Sequence, residues 1–210
     1  MTRYFSRDKV YYFRRVLTNP ADAFYEIRHR EQGSIPLALI TVFIFCLCYT
    51  FNNILSGFVV NLTDPRTVNG LVDLQSIFVI YMLFCIGNWS ITCLMEGEGR
   101  LRDIMTVTGY AILPLIITTI PAIIISNVLA ANEEVFYSII IGFGVAWTAL
   151  LILIGIMTVH NYTLLKTVIT LFLTLVAMLL IIFLALLLYD LLNQVFIFFQ
   201  SVYTELILRG

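Results

Sequence analysis

The densest group of side chains that could do chemistry lies in residues 95–103, MEGEGRLRD, between two long apolar stretches. The segment holds three carboxylates, two arginines and two glycines: Glu96, Glu98, Asp103, Arg100, Arg102, Gly97 and Gly99. Carboxylate oxygens could hold a divalent cation, although the neighbouring arginines weaken that case. The glycines allow a tight reversal, and the acids suit the start of the following helix. We interpret the segment as a structural turn, with a partner-docking surface and a metal site as the alternatives.

Signs of catalysis elsewhere in the chain are sparse. His29 and His160 are the only histidines, and neither has a partner at the spacing of a metal site or a catalytic triad. No glycine-rich phosphate loop and no nucleophile elbow occurs. Asparagines within apolar stretches, such as Asn88, more often bond across helices than bind a substrate. The sequence therefore predicts no enzyme, no cofactor and no metal.

The elements that carry these residues are apolar stretches of membrane-spanning length. Five charge-poor stretches cover residues 36–55, 74–95, 104–131, 135–159 and 167–189. Each is near the ~20 residues that a helix needs to cross about 30 Å of hydrocarbon. The chain is 60% hydrophobic and only 12% charged, which leaves too little polar surface for a soluble globule of 210 residues. We expect an all-α integral membrane bundle of five transmembrane helices.

The distribution of lysine and arginine predicts the orientation of the bundle. With the N-terminus in the cytoplasm, ten of the twelve basic residues lie on the cytoplasmic side and two lie outside. Five spans then place the C-terminus outside a bacterial cytoplasmic membrane. The net charge of −1 argues against binding of nucleic acid, and the basic N-terminal residues suit anionic lipid headgroups.

Both ends of the chain predict amphipathic helices. In residues 1–34, one cytoplasmic helix near residues 7–17 suits the membrane surface, and a second begins at Asn19 and Pro20 and continues to about Gln32. The five-span domain covers residues 35–190. Residues 191–210 form a sided helix, which either lies in the outer interface or continues the fifth helix outward with its apolar side against a partner.

Packing is the role that we expect for most of the other distinctive residues. Pro114 and Pro121 should kink the third span and leave irregular backbone that faces other helices. Small side chains at helical spacing let helices approach closely in lipid. The expected packing residues are Asn88, Trp89, Gly109, Tyr110, Gly142, Ala146 and Ala149.

Residues 88–116 carry a family resemblance. Their family-like points are Asn88 and Trp89, the acidic-glycine turn, and Gly109-Tyr110-Ala111 followed by Pro114. The segment resembles the Yip domain family, polytopic proteins named for binding Ypt/Rab GTPases, and reads closest to its Gram-positive bacterial members. The resemblance implies five spans, a cytoplasmic N-terminus and an outside C-terminus, and it does not imply an enzyme. The short basic N-terminal arm departs from the acidic arm of the eukaryotic members, which argues against binding of a small GTPase.

These observations favour a partner, scaffold or accessory subunit for another integral membrane protein. Bacterial relatives are often encoded beside carbohydrate ABC importers, so the resemblance points to an importer permease as the partner. Three features could make the contact: the N-terminal helices with Phe13, Phe24 and Ile27, the turn, and the aromatic C-terminal helix. The alternatives are a lipid or small-solute transporter with a cavity at the kinked third span, and a membrane-embedded enzyme.

Overall fold

A computed structural model describes residues 7–30, 33–61 and 63–209 of the chain. The described residues form helices and connecting turns: α1 (Arg7–Arg15), α2 (Pro20–His29), α3 (Ile35–Leu55), α4 (Gly70–Leu94), α5 (Leu101–Ala111), α6 (Leu113–Ser126), a short 3₁₀ helix (Ala131–Glu133), α7 (Glu134–His160) and α8 (Leu164–Arg209). The predicted end of the second helix at Gln32 falls outside the described residues.

Five helical segments are long and apolar enough to cross a membrane, which confirms the predicted all-α membrane bundle. They are α3, α4, the pair α5 and α6, α7, and α8. Half of the most apolar stretch of the α5–α6 pair is buried, compared with 28% or less of the corresponding stretch in each of the other four spans. The pair therefore lies at the centre of the bundle. This pair contacts α3, α4 and α7, so it organises the packing of the bundle.

The third span is interrupted at Ile112, where α5 ends and α6 begins. Pro114, two residues later, is buried and has no backbone N–H, so it cannot donate to the Tyr110 carbonyl one turn earlier. That carbonyl instead accepts a hydrogen bond from the Ile112 N–H, so the freed backbone group has a partner within the span.

Pro121 differs from the expectation that both prolines face other helices. It lies inside the continuous helix α6, on the exposed side. The buried residues of α6 include Pro114, Thr118, Ala122 and Ser126, which are four residues apart. A row at that spacing rotates by about 40° at each step, so the packed face has turned well away from Pro121 by the middle of the helix.

The packing face of α7 is also different from the predicted one. Gly142, Ala146 and Ala149 are all exposed, and a side chain built at Gly142 would meet no atom within 4 Å. The buried face instead carries Gly144, Thr148, Leu151 and Gly155. At Gly144 and Gly155 a Cβ atom would collide with Thr118 of α6 and Val107 of α5, respectively. Small residues occur on both sides of α7, so their size alone did not identify the packed side.

The N-terminal helix α2 is part of the core of the bundle. Ala23 and Phe24 are fully buried, and Ile27 is buried too. Phe24 packs over Gly155 of α7, and the ring of Phe13 meets Tyr110 edge to face with centroids 5.0 Å apart. The predicted contact residues of the N-terminal helices are therefore used inside the protein, because glycine at position 155 opens the space that Phe24 fills.

Helices α4 and α8 pack through polar side chains and one glycine. Asn88 is fully buried and donates to the Thr174 hydroxyl of α8 at 3.0 Å, and Gly87 lies against Met178. On α8, Thr167, Thr170 and Thr174 are buried, and each donates to a carbonyl one turn earlier. Because these threonine hydroxyls donate to carbonyls of their own helix, α8 presents a compact surface against which α4 can pack closely.

The remaining predicted packing residues divide between the surface and the core. Trp89, next to Asn88 on α4, is 42% exposed. Gly109 is buried where α5 crosses the backbone of Ala38 on α3. Tyr110 is fully buried, and its hydroxyl accepts a hydrogen bond from the Ser34 N–H at 3.1 Å.

Helix α8 is one continuous helix of 46 residues, and residues 191–209 continue the fifth span beyond the packed bundle. The structure thus has the continuous helix of the second alternative, while a partner against its apolar side stays a prediction. At 1.5 Å per residue the helix is about 69 Å long, roughly twice the thickness of the hydrocarbon layer. Beyond Ile181 every described side chain of α8 is exposed.

Candidate functional site

The turn at residues 95–103 is positioned by the way in which α4 ends. Glu96 adopts a left-handed conformation with φ of 56°, and the Gly97 N–H donates to the Thr92 carbonyl at 2.7 Å. This pattern of a left-handed residue followed by a hydrogen bond back to the last turn is a common helix terminus. The residue with positive φ is thus a glutamate, and no described glycine has one.

The two glycines of the turn are required for close packing. A Cβ atom at Gly97 would lie 2.6 Å from His160 Nδ1 and 2.7 Å from the Tyr162 hydroxyl. A Cβ atom at Gly99 would lie 2.5 Å from Val159 Cγ1 and 2.6 Å from His160 Cε1. All four distances are too short for non-bonded atoms, so only glycine lets the turn approach the end of α7 this closely.

His160 is the centre of this contact. Its side chain is 1% exposed, and its Nδ1 accepts a hydrogen bond from the Gly99 N–H at 3.1 Å. An accepting Nδ1 carries no proton, so the neutral ring has its proton on Nε2, which is buried and has no partner among the described residues. Asn161 follows with φ of 54° and ends α7 in the left-handed conformation that asparagine tolerates.

Tyr162 closes the other side of the turn. Its ring stacks on His160 with centroids 5.3 Å apart, and its hydroxyl donates to the Met95 carbonyl at 3.0 Å. Burial raises the pKa of the Tyr162 phenol, and the nearby Cys93 and Glu96 raise it further, so the hydroxyl keeps its proton and remains a donor. Lys166 Nζ lies 4.3 Å from the centre of the same ring, a cation–π contact.

Arg28 joins α2 to the turn. Its Nη2 lies 2.8 Å from Glu98 Oε2 and also donates to the Glu98 carbonyl at 3.4 Å. The Arg28 side chain is only 15% exposed, whereas that of Glu98 is 58% exposed. We call the contact of Arg28, the turn at residues 96–99, His160 and Tyr162 the turn cluster. It fixes α2, α4 and α7 to one another at the end of the bundle where Arg28, Arg100, Arg102 and Lys166 lie, which we call the basic end.

Two of the three carboxylates of the segment have separate partners. Glu98 pairs with Arg28, and Asp103 Oδ2 accepts from the Arg100 N–H at 3.3 Å, which caps the start of α5. Within residues 7–30, 33–61 and 63–209, no three histidine, cysteine, aspartate or glutamate side chains come together as metal ligands would. The arrangement supports a structural role for the segment, and a partner-docking surface stays a prediction.

Comparison with known proteins identifies the family. The sequence model described as the Yip1 domain matches residues 14–187. The chain belongs to the Yip1 domain family. The matched part of this Yip1 domain protein begins within α1 and ends within α8, where the helix has already left the packed bundle. Comparisons with curated proteins and with solved structures each found no match.

The structure brings only part of the predicted site of this Yip1 domain protein together. Glu96, Gly97, Glu98 and Gly99 lie in the turn cluster, whereas Arg100, Arg102 and Asp103 open α5 beside it. Sequence reasoning missed His160, Tyr162 and Arg28 as partners of the turn. The available signal was a histidine and an asparagine ending an apolar helix, but nothing in the spacing linked them to a turn 61 residues earlier.

Proposed function

We propose that this Yip1 domain protein is a non-catalytic partner, scaffold or accessory subunit of another integral membrane protein. It would act in a bacterial cytoplasmic membrane with its N-terminus in the cytoplasm and its C-terminus outside. The observation that carries the proposal is the outward continuation of α8, whose side chains beyond Ile181 pack against nothing in the described chain. Family membership supports it, because the Yip resemblance does not imply an enzyme.

The continuation of α8 has the composition of a contact surface. Residues 164–189 already provide about 39 Å of helix, enough to cross the hydrocarbon layer. The following segment exposes four large rings, with Phe196, Phe198, Phe199 and Tyr203 each 63–67% exposed. Exposed apolar surface of this kind marks contact with protein or lipid, and aromatic side chains supply much of the binding energy at protein interfaces.

The partner that we propose is the permease part of a carbohydrate ABC importer. Its support is the resemblance to bacterial members of the family, which are often encoded beside such importers. The alternative of a transporter with a cavity at the third span is less favoured by the packing. Gly109 contacts the backbone of Ala38 and Gly144 contacts Thr118, so α5 and α6 are held closely by α3 and α7 on either side of the break.

Affinity purification from native membranes in mild detergent, followed by mass spectrometry, tests the proposal. We compare the full chain with a chain that ends at Asp190 and with the pair Val195→Ser and Phe199→Ser on the apolar side of α8. Gln200→Ala with Thr204→Ala, at the same spacing on the polar side, is the matched control. We expect permease subunits to co-purify with the full chain and with the control variant. They should be lost from the truncated chain and from the double variant on the apolar side.

Two outcomes would count against this view. If the chain that ends at Asp190 keeps its partners, the C-terminal part of α8 is not the contact surface and the proposal fails. If the full chain retains a different membrane protein through the apolar side of α8, the partner function stands and the importer permease is rejected.

A further inference from the structure

His160 is a buried ionisable group whose contacts fit only its neutral form. The side chain is 1% exposed, and its Nδ1 accepts a hydrogen bond from the Gly99 N–H at 3.1 Å. A histidine nitrogen accepts only when it carries no proton, whereas both nitrogens of the charged imidazolium are donors. Protonation of His160 would therefore set two N–H donors against each other and end the hydrogen bond to the turn.

The surroundings of the ring offer no replacement for that hydrogen bond. Nε2 is buried and has no hydrogen-bond partner among the described residues. A charged ring in the closed contact would thus have a donor opposite Nδ1 and no described acceptor at Nε2. A buried charge without hydrogen bonds is costly, so the closed contact disfavours the protonated ring.

The charges around His160 do not compensate for protonation. Arg28 of α2 acts on the ring with a positive charge, which repels a second cation, and the carboxylate of Glu98 already pairs with Arg28 at 2.8 Å. The stacked ring of Tyr162 separates His160 from the remaining ones, which are Lys166, Cys93 and Glu96. Of these groups, His160 alone has an ordinary pKa near 6.5, so it is the one that changes charge between pH 5.5 and pH 7.5.

We propose that the turn cluster is an acid-sensitive contact, in which protonation of His160 releases the turn from the end of α7. Once the turn separates, water reaches the ring and the imidazolium gains the hydration that the closed contact denies it. The cluster therefore holds α2, α4 and α7 together above the ordinary pKa of histidine. Its stability is lost progressively as the pH falls below about 6.5. This inference goes beyond the proposed partner function and does not depend on it.

Hydrogen–deuterium exchange of the full chain in phosphatidylcholine nanodiscs, at pH 7.5 and at pH 5.5, tests the proposal. If the open state titrates near pH 6.5 and the closed state stays neutral, the ratio of open to closed rises about tenfold between these two pH values. After correction for the pH dependence of the chemical exchange step, the amides of residues 95–99 should lose protection about tenfold. The amides of α4 around Asn88 lie outside the turn cluster, so they serve as the internal reference and should keep theirs.

Two variants separate the role of His160 from a general effect of acid. His160→Asn supplies an amide oxygen that still accepts from the Gly99 N–H but does not titrate. Protection of the turn in this variant should be lower overall and equal at the two pH values. His29→Gln removes the other histidine of the chain, which is exposed and stacks on Tyr25, and should retain the tenfold change.

The unaltered chain and His29→Gln decide the proposal even if His160→Asn does not fold. Equal protection of the turn at both pH values in the unaltered chain would overturn it. Loss of the pH dependence in His29→Gln would also overturn it, because the effect would then belong to His29. A folded His160→Asn that keeps the tenfold change would do the same.

Discussion

The docking of α2 into the bundle can be tested through Phe24. Phe24 is fully buried and lies 3.3 Å from the position that a Cβ atom would take at Gly155, so Phe24→Ala empties a ring-sized space between α2 and α7. Such truncations cost about 3–5 kcal/mol in soluble cores. In the undocked state α2 can insert the Phe24 ring into the headgroup region, which regains part of the free energy of burying the ring. We therefore expect Phe24→Ala to lower the docking free energy by only about 2 kcal/mol.

A loss of about 2 kcal/mol corresponds to roughly a 30-fold increase in the undocked population. A ten-residue helix is marginal when it is not packed, so the amides of α2 should lose protection when it undocks. Hydrogen–deuterium exchange in nanodiscs should therefore show α2 amides exchanging about 30-fold faster in Phe24→Ala, while α4 and α7 keep their protection.

Tyr25→Ala is the matched control, because Tyr25 is adjacent on the same helix and 54% exposed. Substitutions at such exposed positions usually change stability by less than about 0.5 kcal/mol. The reasoning is refuted if both variants exchange at the same rate in α2. That result would mean that α2 is held by the lipid surface and that the core position of Phe24 contributes nothing to docking.

Three further predictions concern the turn, the α4–α8 contact and the orientation. Gly99→Ala should lower stability in detergent unfolding by about 1–3 kcal/mol because its Cβ would overlap the end of α7, whereas Gly142→Ala, with no atom within 4 Å, should change it by less than about 1 kcal/mol; equal effects would contradict the close approach. A double-mutant cycle of Asn88→Ala and Thr174→Val should give a coupling near 0.6 kcal/mol, and additive losses would exclude the hydrogen bond. With the four native cysteines replaced, a single cysteine at Glu98 should resist an impermeant maleimide in intact cells, and its labelling would reverse the proposed orientation.

The hydrophobic pattern contains most of the information on the fold. Charge-poor stretches of about 20 residues have few alternatives to spanning helices, so the five spans follow from composition. The break beside Pro114 was predictable as well, because proline lacks the backbone N–H that a helix needs.

Contacts between distant elements were not predictable in this way. Gly142 and Gly144 are equally small, and only the position of α6 makes Gly144 the packed one. The amphipathic pattern of α2 fits a lipid surface as well as a protein groove, so Phe24 could not be placed from its own helix. His160 contacts Gly99 across 61 residues of sequence, a pairing that depends on how α4 and α7 end.

The continuity of α8 gives the protein a mechanical property. Residues 164–209 contain neither glycine nor proline, the residues at which long helices usually bend. A stiff rod that is held at one end by α4 transmits any change of angle to its free end. From Thr174 the rod extends about 52 Å to its end at Arg209, so a tilt of about 10° at the α4–α8 contact would move the tip by about 9 Å. Small rearrangements near Asn88 would thus be amplified as displacement on the opposite side of the membrane.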